Sequence, residues 1–276
     1  AKIVCDSISP NGDRLTTIEC VFPRYILPEV LTHRMISKSA QSSRAIPISK
    51  RIEEVRENPY IPIHWGQNKA GMVAEIEVSD ETKDEAESVW REAALAAADY
   101  AHYLGQLKIH KQVASRILEP FLWQTNVMSS TSFGWDNLIK LRAHPDAQPE
   151  FQELAVSIRH ELNNSRPKYI EYGQMHLPYI TQSELDNHGI YKCQKASVAR
   201  VARTSYGNQG GWDIEKDLEL EKRLFSANPK HDAPYEMPAC PTVDKNIKGN
   251  YNGWLQLRHN KDWQLKRLRE LENEIR

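Results

Sequence analysis

No stretch of this sequence is apolar for long enough to cross a bilayer, which excludes a membrane-spanning helix of ordinary length. The first residues lack the pattern of a secretory signal peptide, so a cytoplasmic protein without a membrane partner is expected. The four cysteines are scattered and include no C-x-x-C pair. Their spacing argues against a structural zinc site and against a disulfide framework, and no metal site is expected.

Charge of one sign is also missing, because the formal net charge is −1 at pH 7. A nearly neutral protein does not bind DNA or RNA through bulk electrostatics, so no nucleic-acid polymer is expected as a partner. The sequence has no G-x-G-x-x-G after a strand and no P-loop, which excludes the two common phosphate cradles. It has no internal repeat and no linker rich in glycine and serine. We therefore predict a single α/β domain over residues 1–276.

Hydrophobic periodicity and turn residues predict the order of the elements. Strands are predicted over 2–6, 14–22 and 121–132, an irregular segment over 58–71, and helices over 25–38, 81–105, 109–118, 133–141, 150–162, 192–204, 214–225 and 261–276. The first of these helices would place Glu29, His33 and Ser37 on one face. Pro47 disfavours helical backbone at residue 46, so the helix should end before that residue.

The segment 32–47 contains cations and hydroxyls but no carboxylate. The nearest acids are Glu29 before it and Glu53 after it. Such a segment can be the solvated end of a surface helix. It can also bind a phosphate or the carbonyl edge of a base, for which guanidinium forks and hydroxyls are suited. Arg34 and Arg44, with serines between them, favour a nucleotide site.

Three other segments allow both a functional and an ordinary interpretation. In residues 136–150, Asn137 and Gln148 could form hydrogen bonds to the edge of a ring, and Arg142 could bind an oxyanion. The same residues could instead form a helix end followed by a turn. Residues 108–121 gather cations that could equally lie along a solvated helix. Residues 249–258 could stack an aromatic ring on a flat ligand, although a packed core tryptophan is the more common role. Cys240 has no neighbour that would activate it and is expected to be a buried thiol.

Together these segments resemble flavin-dependent thymidylate synthase. The signature of that family, R-H-R-x-x-S-x-N-E-x-S-x-R-Y, is matched here by His33, Arg34, Ser37, Ser42 and Arg44. The T-H-R and S-S-R-A-I-P segments are similar to the longer branch of the family that is common in bacteriophages. Further matches lie at 6–10, 24, 65–66, 110–112, 119–121, 137, 142, 147–150, 197–200 and 253–256.

The resemblance implies a mixed α/β fold, with a central sheet flanked by helices, that assembles as a homotetramer with active sites shared between subunits. It implies FAD as cofactor, NADPH and methylenetetrahydrofolate as co-substrates, and methylation of dUMP to dTMP. For a viral member the location would be the host cytoplasm. Carbon 5 of uracil becomes nucleophilic when charge on the ring carbonyls is stabilised by donors, while the flavin supplies the carbon and hydride chemistry.

The resemblance also implies roles for individual residues. The residues expected to face the flavin are His33, Arg34, Ser37, Ser39 and Asn137. Those expected to hold the nucleotide are Glu29, Gln41, Ser42, Arg44, Arg116 and Arg142. Arg44 and Arg142 are the expected catalytic pair, with Arg142 donated by a neighbouring subunit.

Four positions depart from the family pattern. Ser39 replaces an Asn, Ala40 replaces a Glu, Ser115 replaces an Asn, and Met237 replaces a His that could donate a hydrogen bond. These departures leave two alternatives to thymidylate synthesis. One is a related C5 modification, such as hydroxymethylation of dUMP or dCMP. The other is a protein that binds a nucleotide without catalysis.

Overall fold

The computed structural model describes residues 1–71, 74–207, 210–244, 247 and 249–275. Its strands are β1 (Lys2–Ile8), β2 (Arg14–Pro23), β3 (Ser37–Ala40), β4 (Trp123–Thr131), β5 (Lys168–Tyr169), β6 (Ala239–Pro241) and β7 (Trp254–Gln256). Its α-helices are α1 (Leu27–Thr32), α2 (Ile48–Glu57), α3 (Asp80–Gln106), α4 (Lys111–Ala114), α5 (Ser132–Arg142), α6 (Pro149–Asn164), α7 (Gln182–Arg203), α8 (Ile214–Ser226) and α9 (Lys261–Ile275). Short 3₁₀ helices span Arg24–Ile26, Ser115–Phe121, Thr204–Tyr206, Ala233–Glu236 and Leu257–His259.

The central sheet has five strands in the order β3-β4-β2-β1-β5. Strands β1, β2, β4 and β3 pair in antiparallel fashion, whereas β5 runs parallel to β1. Ile18 and Met128 pair across β2 and β4, and both pack in the core with Trp135 of α5 and Phe151 of α6. The predicted class, a mixed α/β fold with a sheet flanked by helices, is confirmed.

A second core lies beside the sheet, where α3 packs on α2 and on the 3₁₀ helix Ser115–Phe121. Ala94, Ala98 and Ala101 recur at helical spacing and are completely buried. The predicted helix over 81–105 corresponds to α3, which Ser79 caps by accepting a hydrogen bond from Thr82 N. A different face of α3 exposes large apolar side chains.

Helices α7, α8 and α9 build a third core from residues beyond the sheet. This C-terminal part packs over the edge strand β3, because the Ser39 hydroxyl donates a hydrogen bond of 3.1 Å to the Val201 carbonyl of α7. A part of α7 about 160 positions later in the sequence therefore covers residues 37–40, which lie within the segment 32–47.

The predicted helix over 25–38 is wrong in its second half. The helical backbone ends at Thr32, and His33 leaves the helical region with φ −77° and ψ 79°. Residues 37–40 form β3 instead, since their backbone groups pair with the open edge of β4. Pairing with a strand that lies far away in sequence overrides local helical spacing.

The predicted helix over 109–118 is also only partly present. Its α-helical portion is Lys111–Ala114, and the chain then tightens into the 3₁₀ helix Ser115–Phe121. Pro120 lies inside that segment and lacks the N–H that a continued α-helix needs.

Candidate active site

A small cavity lies between α5 and the turn that joins α1 to β3. Its volume is about 170 Å³. It is lined by Thr32, His33, Arg34, Met35, Ile36, Gly134, Asn137, Leu141 and Arg142. Four of the expected site residues therefore border one cavity, although His33 and Arg142 are 109 positions apart in sequence.

Two side chains from the sheet hold the turn 33–36 in place. The Lys38 ammonium donates hydrogen bonds to the carbonyls of His33 and Ile36, at 2.5 and 2.8 Å. The Ser130 hydroxyl donates to the Met35 carbonyl at 3.0 Å. Burial lowers the pKa of Lys38 to about 8, although the nearby Glu236 carboxylate acts in the opposite direction. Because turn carbonyls are bound on the sheet side, the side chains of His33 and Arg34 can line the cavity.

Gly134 allows α5 to approach this turn closely. A Cβ at position 134 would lie 2.1 Å from the Ser130 hydroxyl oxygen and 3.4 Å from the Met35 Cβ. The first distance is far shorter than any real contact, so the serine hydroxyl would have to leave the Met35 carbonyl. The absence of a side chain at 134 therefore shapes one wall of the cavity.

We expect Gly134→Ala to destabilise the fold by about 1–3 kcal/mol, as overpacking of a well-packed site does. Gly105→Ala is the matched control, because the nearest atom to its new Cβ would be 4.0 Å away. That helical substitution should be neutral or stabilising. Urea unfolding of the two variants checks the expectation, and equal stability of both would contradict the packing argument.

Arg142 connects α5 to α1 at the rim of the cavity. Its Nε donates to His33 Nε2 at 3.1 Å, and its Nη1 donates to a Glu29 carboxylate oxygen at 3.2 Å. Its guanidinium carbon lies 4.7 Å from the centre of the Phe151 ring. Among the described residues its Nη2 has no hydrogen-bond partner, so this nitrogen can donate to a ligand.

His33 is neutral at physiological pH. Its Nε2 accepts a hydrogen bond from Arg142, so the ring proton is on Nδ1. Burial, followed by the positive charges of Arg142 and Lys38, lowers the pKa of His33 to about 4. The imidazole therefore orients the Arg142 guanidinium as an acceptor and adds no charge to the cavity.

This pKa predicts acid sensitivity. Between pH 6.5 and about 4, an unfolded His33 binds a proton that the folded one does not, so the stability from neutral His33 is complete above pH 6.5 and falls as the pH drops towards 4. The loss should be on the order of 2–3 kcal/mol. His33→Gln keeps an acceptor for Arg142 but does not titrate.

The measurement is the free energy of unfolding of wild type and His33→Gln across this pH range. His176 is also buried, and burial lowers its pKa to about 3, so it contributes a loss of the same sign in both proteins. The difference between the two curves isolates His33. Parallel curves would contradict the assigned protonation state.

A second group of expected site residues follows the other end of β3. Gln41 extends the strand by pairing its N–H with the Thr125 carbonyl at 2.9 Å. Ser42 N donates to the Ser205 carbonyl at 3.1 Å, and the Ser42 hydroxyl accepts from Arg44 N at 3.3 Å. The Arg44 side chain is exposed. The length of β3, roughly 13 Å for four extended residues, separates this group from the His33 cavity within one chain.

The remaining expected residues lie elsewhere. Ser37 and Ser39 are buried and face the C-terminal part, where the Ser37 hydroxyl oxygen accepts from Asn250 Nδ2 at 3.1 Å. Arg116 is exposed on the 3₁₀ helix Ser115–Phe121 and pairs with Glu119 at 2.8 Å. The structure thus places Glu29, His33, Arg34, Asn137 and Arg142 together, and it places Ser37, Ser39 and Arg116 apart from them.

Comparison with known proteins identifies the family to which the chain belongs. A family model described as thymidylate synthase complementing protein matches residues 15–168, which is more than half of the chain. The chain belongs to this family. The matched range includes every site residue expected from the sequence, whereas Met237 and the helices α7, α8 and α9 lie beyond it.

Solved structures of flavin-dependent thymidylate synthase ThyX from Helicobacter pylori are similar to this family member. Two of them, each in complex with FAD and dUMP, are 19% and 20% identical to it. Both alignments cover 54% of this chain and 67% of the other, with a TM-score of 0.37. No curated protein sequence matches the chain.

Two of the departures from the family pattern lie at completely buried positions, and the structure explains the first of them. Met237 is completely buried against Val127 and Val201, so an apolar side chain suits this position. Ser115 is also completely buried, and its hydroxyl has no partner in the described structure. Neither residue lines the His33 cavity.

Other sequence features also belong to the core. Tyr251 and Trp254 pack with Leu15 in a buried cluster, which is the ordinary role that the 249–258 segment allowed. In the described part of the chain, no group of side chains could hold a metal ion. No helix in that part is both long and apolar enough to span a membrane.

The supporting residues of the site carry little signal that the sequence reveals. Lys38, Ser130 and Gly134 act through backbone carbonyls and close contacts, and such roles leave no motif in a single sequence. Asn250 and Ser205 contact the 37–42 segment from the far end of the chain. The only signal for Gly134 was a glycine within an otherwise regular helical pattern.

Proposed function

We propose that this protein is a flavin-dependent thymidylate synthase. It would transfer the one-carbon unit of methylenetetrahydrofolate to C5 of dUMP and yield dTMP, with NADPH as the reductant and FAD as the cofactor. The family membership supports this proposal together with one observation. His33, Arg34, Asn137 and Arg142 converge on a single cavity.

The donors of the cavity suit part of a flavin nucleotide. Arg34 and Asn137 are exposed at its walls, and Arg142 has a free nitrogen. Guanidinium and amide groups bind phosphates and the polar edge of a ring. When bound, FAD would supply carbon and hydride transfer. At about 170 Å³, the cavity is smaller than the roughly 300–1,000 Å³ of complete ligand sites, so the rest of the cofactor would lie against another copy of the chain.

The chain itself would activate the pyrimidine by electrostatics. Carbon 5 of uracil is a poor nucleophile until negative charge can build on the ring carbonyls. Guanidinium groups of Arg44 and Arg142, placed at those oxygens, would stabilise this charge in the transition state. Gln41, Ser42 and Glu29 would orient the nucleotide, and Arg116 would bind its phosphate. Neutral His33 would keep Arg142 aligned without competing for the anion.

A homotetramer with shared sites explains the distance between the two arginine groups. Within one chain β3 lies between Arg44 and Arg142, and a second copy would supply one of them to each site. The exposed apolar side chains on α3 and the segment after it offer a surface for that copy: Val89, Leu95, Tyr100, Tyr103, Leu107, Val113 and Ile117. Arg116 directly precedes the last of these residues. Covering such a surface would remove much apolar area from water.

We also propose that residues 1–276 act as one catalytic domain. In the C-terminal part, the Asn250 side chain donates a hydrogen bond to the Ser37 hydroxyl, and two backbone carbonyls accept hydrogen bonds from Ser39 and Ser42. These contacts join it to both ends of β3.

The absorbance spectrum of the purified protein, together with tritium release from 5-tritiated dUMP, tests the proposal. Bound flavin, and tritium release that requires methylenetetrahydrofolate and NADPH, are the expected results. Mass spectrometry of products from dUMP and dCMP separates methylation from hydroxymethylation. Tight nucleotide binding without turnover would instead indicate a binding protein, and protein that takes up no added flavin would overturn the proposal.

A further inference from the structure

A cavity of about 320 Å³ lies in the C-terminal part, beyond the residues that the family model matches. It is lined by Arg203, Tyr206, Leu220, Arg223, Leu224 and His231. It shares no lining residue with the His33 cavity. Its volume falls in the range of pockets that hold small organic ligands.

The charges around this cavity favour an anion. Three basic side chains line it, and no carboxylate does so among the described residues. Arg203 is partly neutralised, because Asp217 lies 2.7 Å from its Nη2. Arg223 is exposed on α8 and forms no ion pair within the described structure, so its fork is available to a phosphate.

Two carboxylates near the cavity are already paired with cations. Asp217 is completely buried between Arg200 and Arg203. Asp232 lies 2.7 Å from Lys230. An anion at Arg223 and His231 would therefore not have to displace an existing ion pair.

The rest of the lining suits a flat ring. Leu220 and Leu224 are apolar, and Tyr206 is 49% exposed, so its ring can stack on a ligand. The position of His231 beside α8 is fixed, because its backbone N–H donates a hydrogen bond to the Leu224 carbonyl at 3.1 Å. An aromatic surface next to the unpaired guanidinium group of Arg223 matches a nucleoside that carries a phosphate.

We infer that this cavity binds a nucleoside phosphate, with the base against Tyr206, Leu220 and Leu224 and the phosphate at Arg223 and His231. The site also adjoins the loop of the proposed active site. Ser205, next to Tyr206, accepts the Ser42 N–H through its carbonyl and donates its hydroxyl to the Ala40 carbonyl at 3.4 Å. A ligand bound against Tyr206 would therefore lie one residue away from the contacts that hold the segment leading to Arg44.

Calorimetric titration with ADP tests the inference on the full chain, after saturation with FAD and dUMP so that the proposed active site is filled. We expect one ADP per chain, and a loss of about tenfold or more in affinity for Arg223→Ala, since a charge-assisted bond to phosphate is lost. Tyr206→Ala should weaken ADP, whereas Tyr206→Phe should not. Arg159→Ala, an exposed arginine on α6, is the control and should bind as wild type does.

Titrations with parts of the ADP molecule and with a carboxylate ligand show which group the cavity recognises. Adenosine and inorganic pyrophosphate should each bind at least about tenfold more weakly than ADP, because each lacks one half of the recognised structure. Failure of ADP to bind, or equal affinity in the Arg223→Ala and Arg159→Ala proteins, would overturn the inference. Tighter binding of p-aminobenzoylglutamate than of ADP would assign the site to a carboxylate ligand and would overturn the phosphate class. None of these results depends on turnover of dUMP.

Discussion

Replacing Arg142 with alanine should weaken dUMP binding by about tenfold to a hundredfold. A hydrogen bond from a charged guanidinium to a ring carbonyl contributes roughly 1.5–3 kcal/mol, and 1.4 kcal/mol corresponds to tenfold in affinity. Arg44→Ala should have a similar effect. Arg142→Lys should recover only part of the loss, because an ammonium cannot reproduce the guanidinium fork. Equilibrium titration with dUMP measures all three variants.

Lys140→Ala is the matched control for Arg142, since Lys140 is exposed on the same helix. It should leave dUMP affinity unchanged. Lys38→Ala is a poorer control, because Lys38 holds the turn that carries His33. If Lys140→Ala and Arg142→Ala weaken binding equally, the assignment of Arg142 to the nucleotide is wrong.

Mixing two inactive variants tests the sharing of sites between subunits. Arg44→Ala and Arg142→Ala proteins, unfolded together and refolded as a mixture, should form some sites that contain both arginines. Activity in the mixture, but in neither variant alone, is the expected outcome. An inactive mixture that has the same oligomeric state as wild type would contradict a site built from two chains.

The largest expected loss of stability follows from Arg200→Ala, at about 3–5 kcal/mol. Arg200 is completely buried in α7. Its Nε donates to Asp217 at 2.8 Å and its Nη2 donates to Glu184 at 2.5 Å. Removing it leaves the Asp217 carboxylate buried with only Arg203 as partner, and an undercompensated buried charge is costly. The pKa of Glu184 is lowered to about 2, chiefly by its hydrogen bond from Arg200.

Urea unfolding measures this loss, and Arg91→Ala is the comparison. Arg91 also pairs with a carboxylate, Glu87, but its side chain is 52% exposed. An exposed pair of this kind contributes about 0–1 kcal/mol. Similar losses for Arg200→Ala and Arg91→Ala would show that burial does not determine the strength of the Arg200 cluster.

The sequence alone predicted those elements whose pattern is local. The turn residues 9–13 separated β1 from β2, and the long segment rich in alanine and glutamate defined α3, because such signals can be read from neighbouring positions. Strand β3 could not be predicted in this way. Ser-Lys-Ser-Ala has no strong preference of its own, and it becomes a strand because the edge of β4 offers backbone partners.

The same distinction applies to the candidate site. The composition of residues 32–47 revealed their cations and hydroxyls. The family resemblance linked these residues to Asn137 and Arg142. The hydrogen bond between Arg142 and His33 depends on how α5 packs against the turn. So do the burial and the nearby positive charges that lower the pKa of the imidazole. The distance between Arg44 and Arg142 depends on the length of β3. The sequence did not indicate this strand, because it predicted a helix over residues 25–38.

The contact between the C-terminal helices and β3 has a consequence for anyone who shortens the gene. A fragment that stops near residue 168, where the family match ends, would expose Ser37 and Ser39, which form the buried face of the edge strand β3, to solvent. Bare edges of this kind recruit strands from other molecules. Insoluble aggregates are the foreseeable product of such a fragment, and reagents for screening or crystallisation should retain the entire polypeptide.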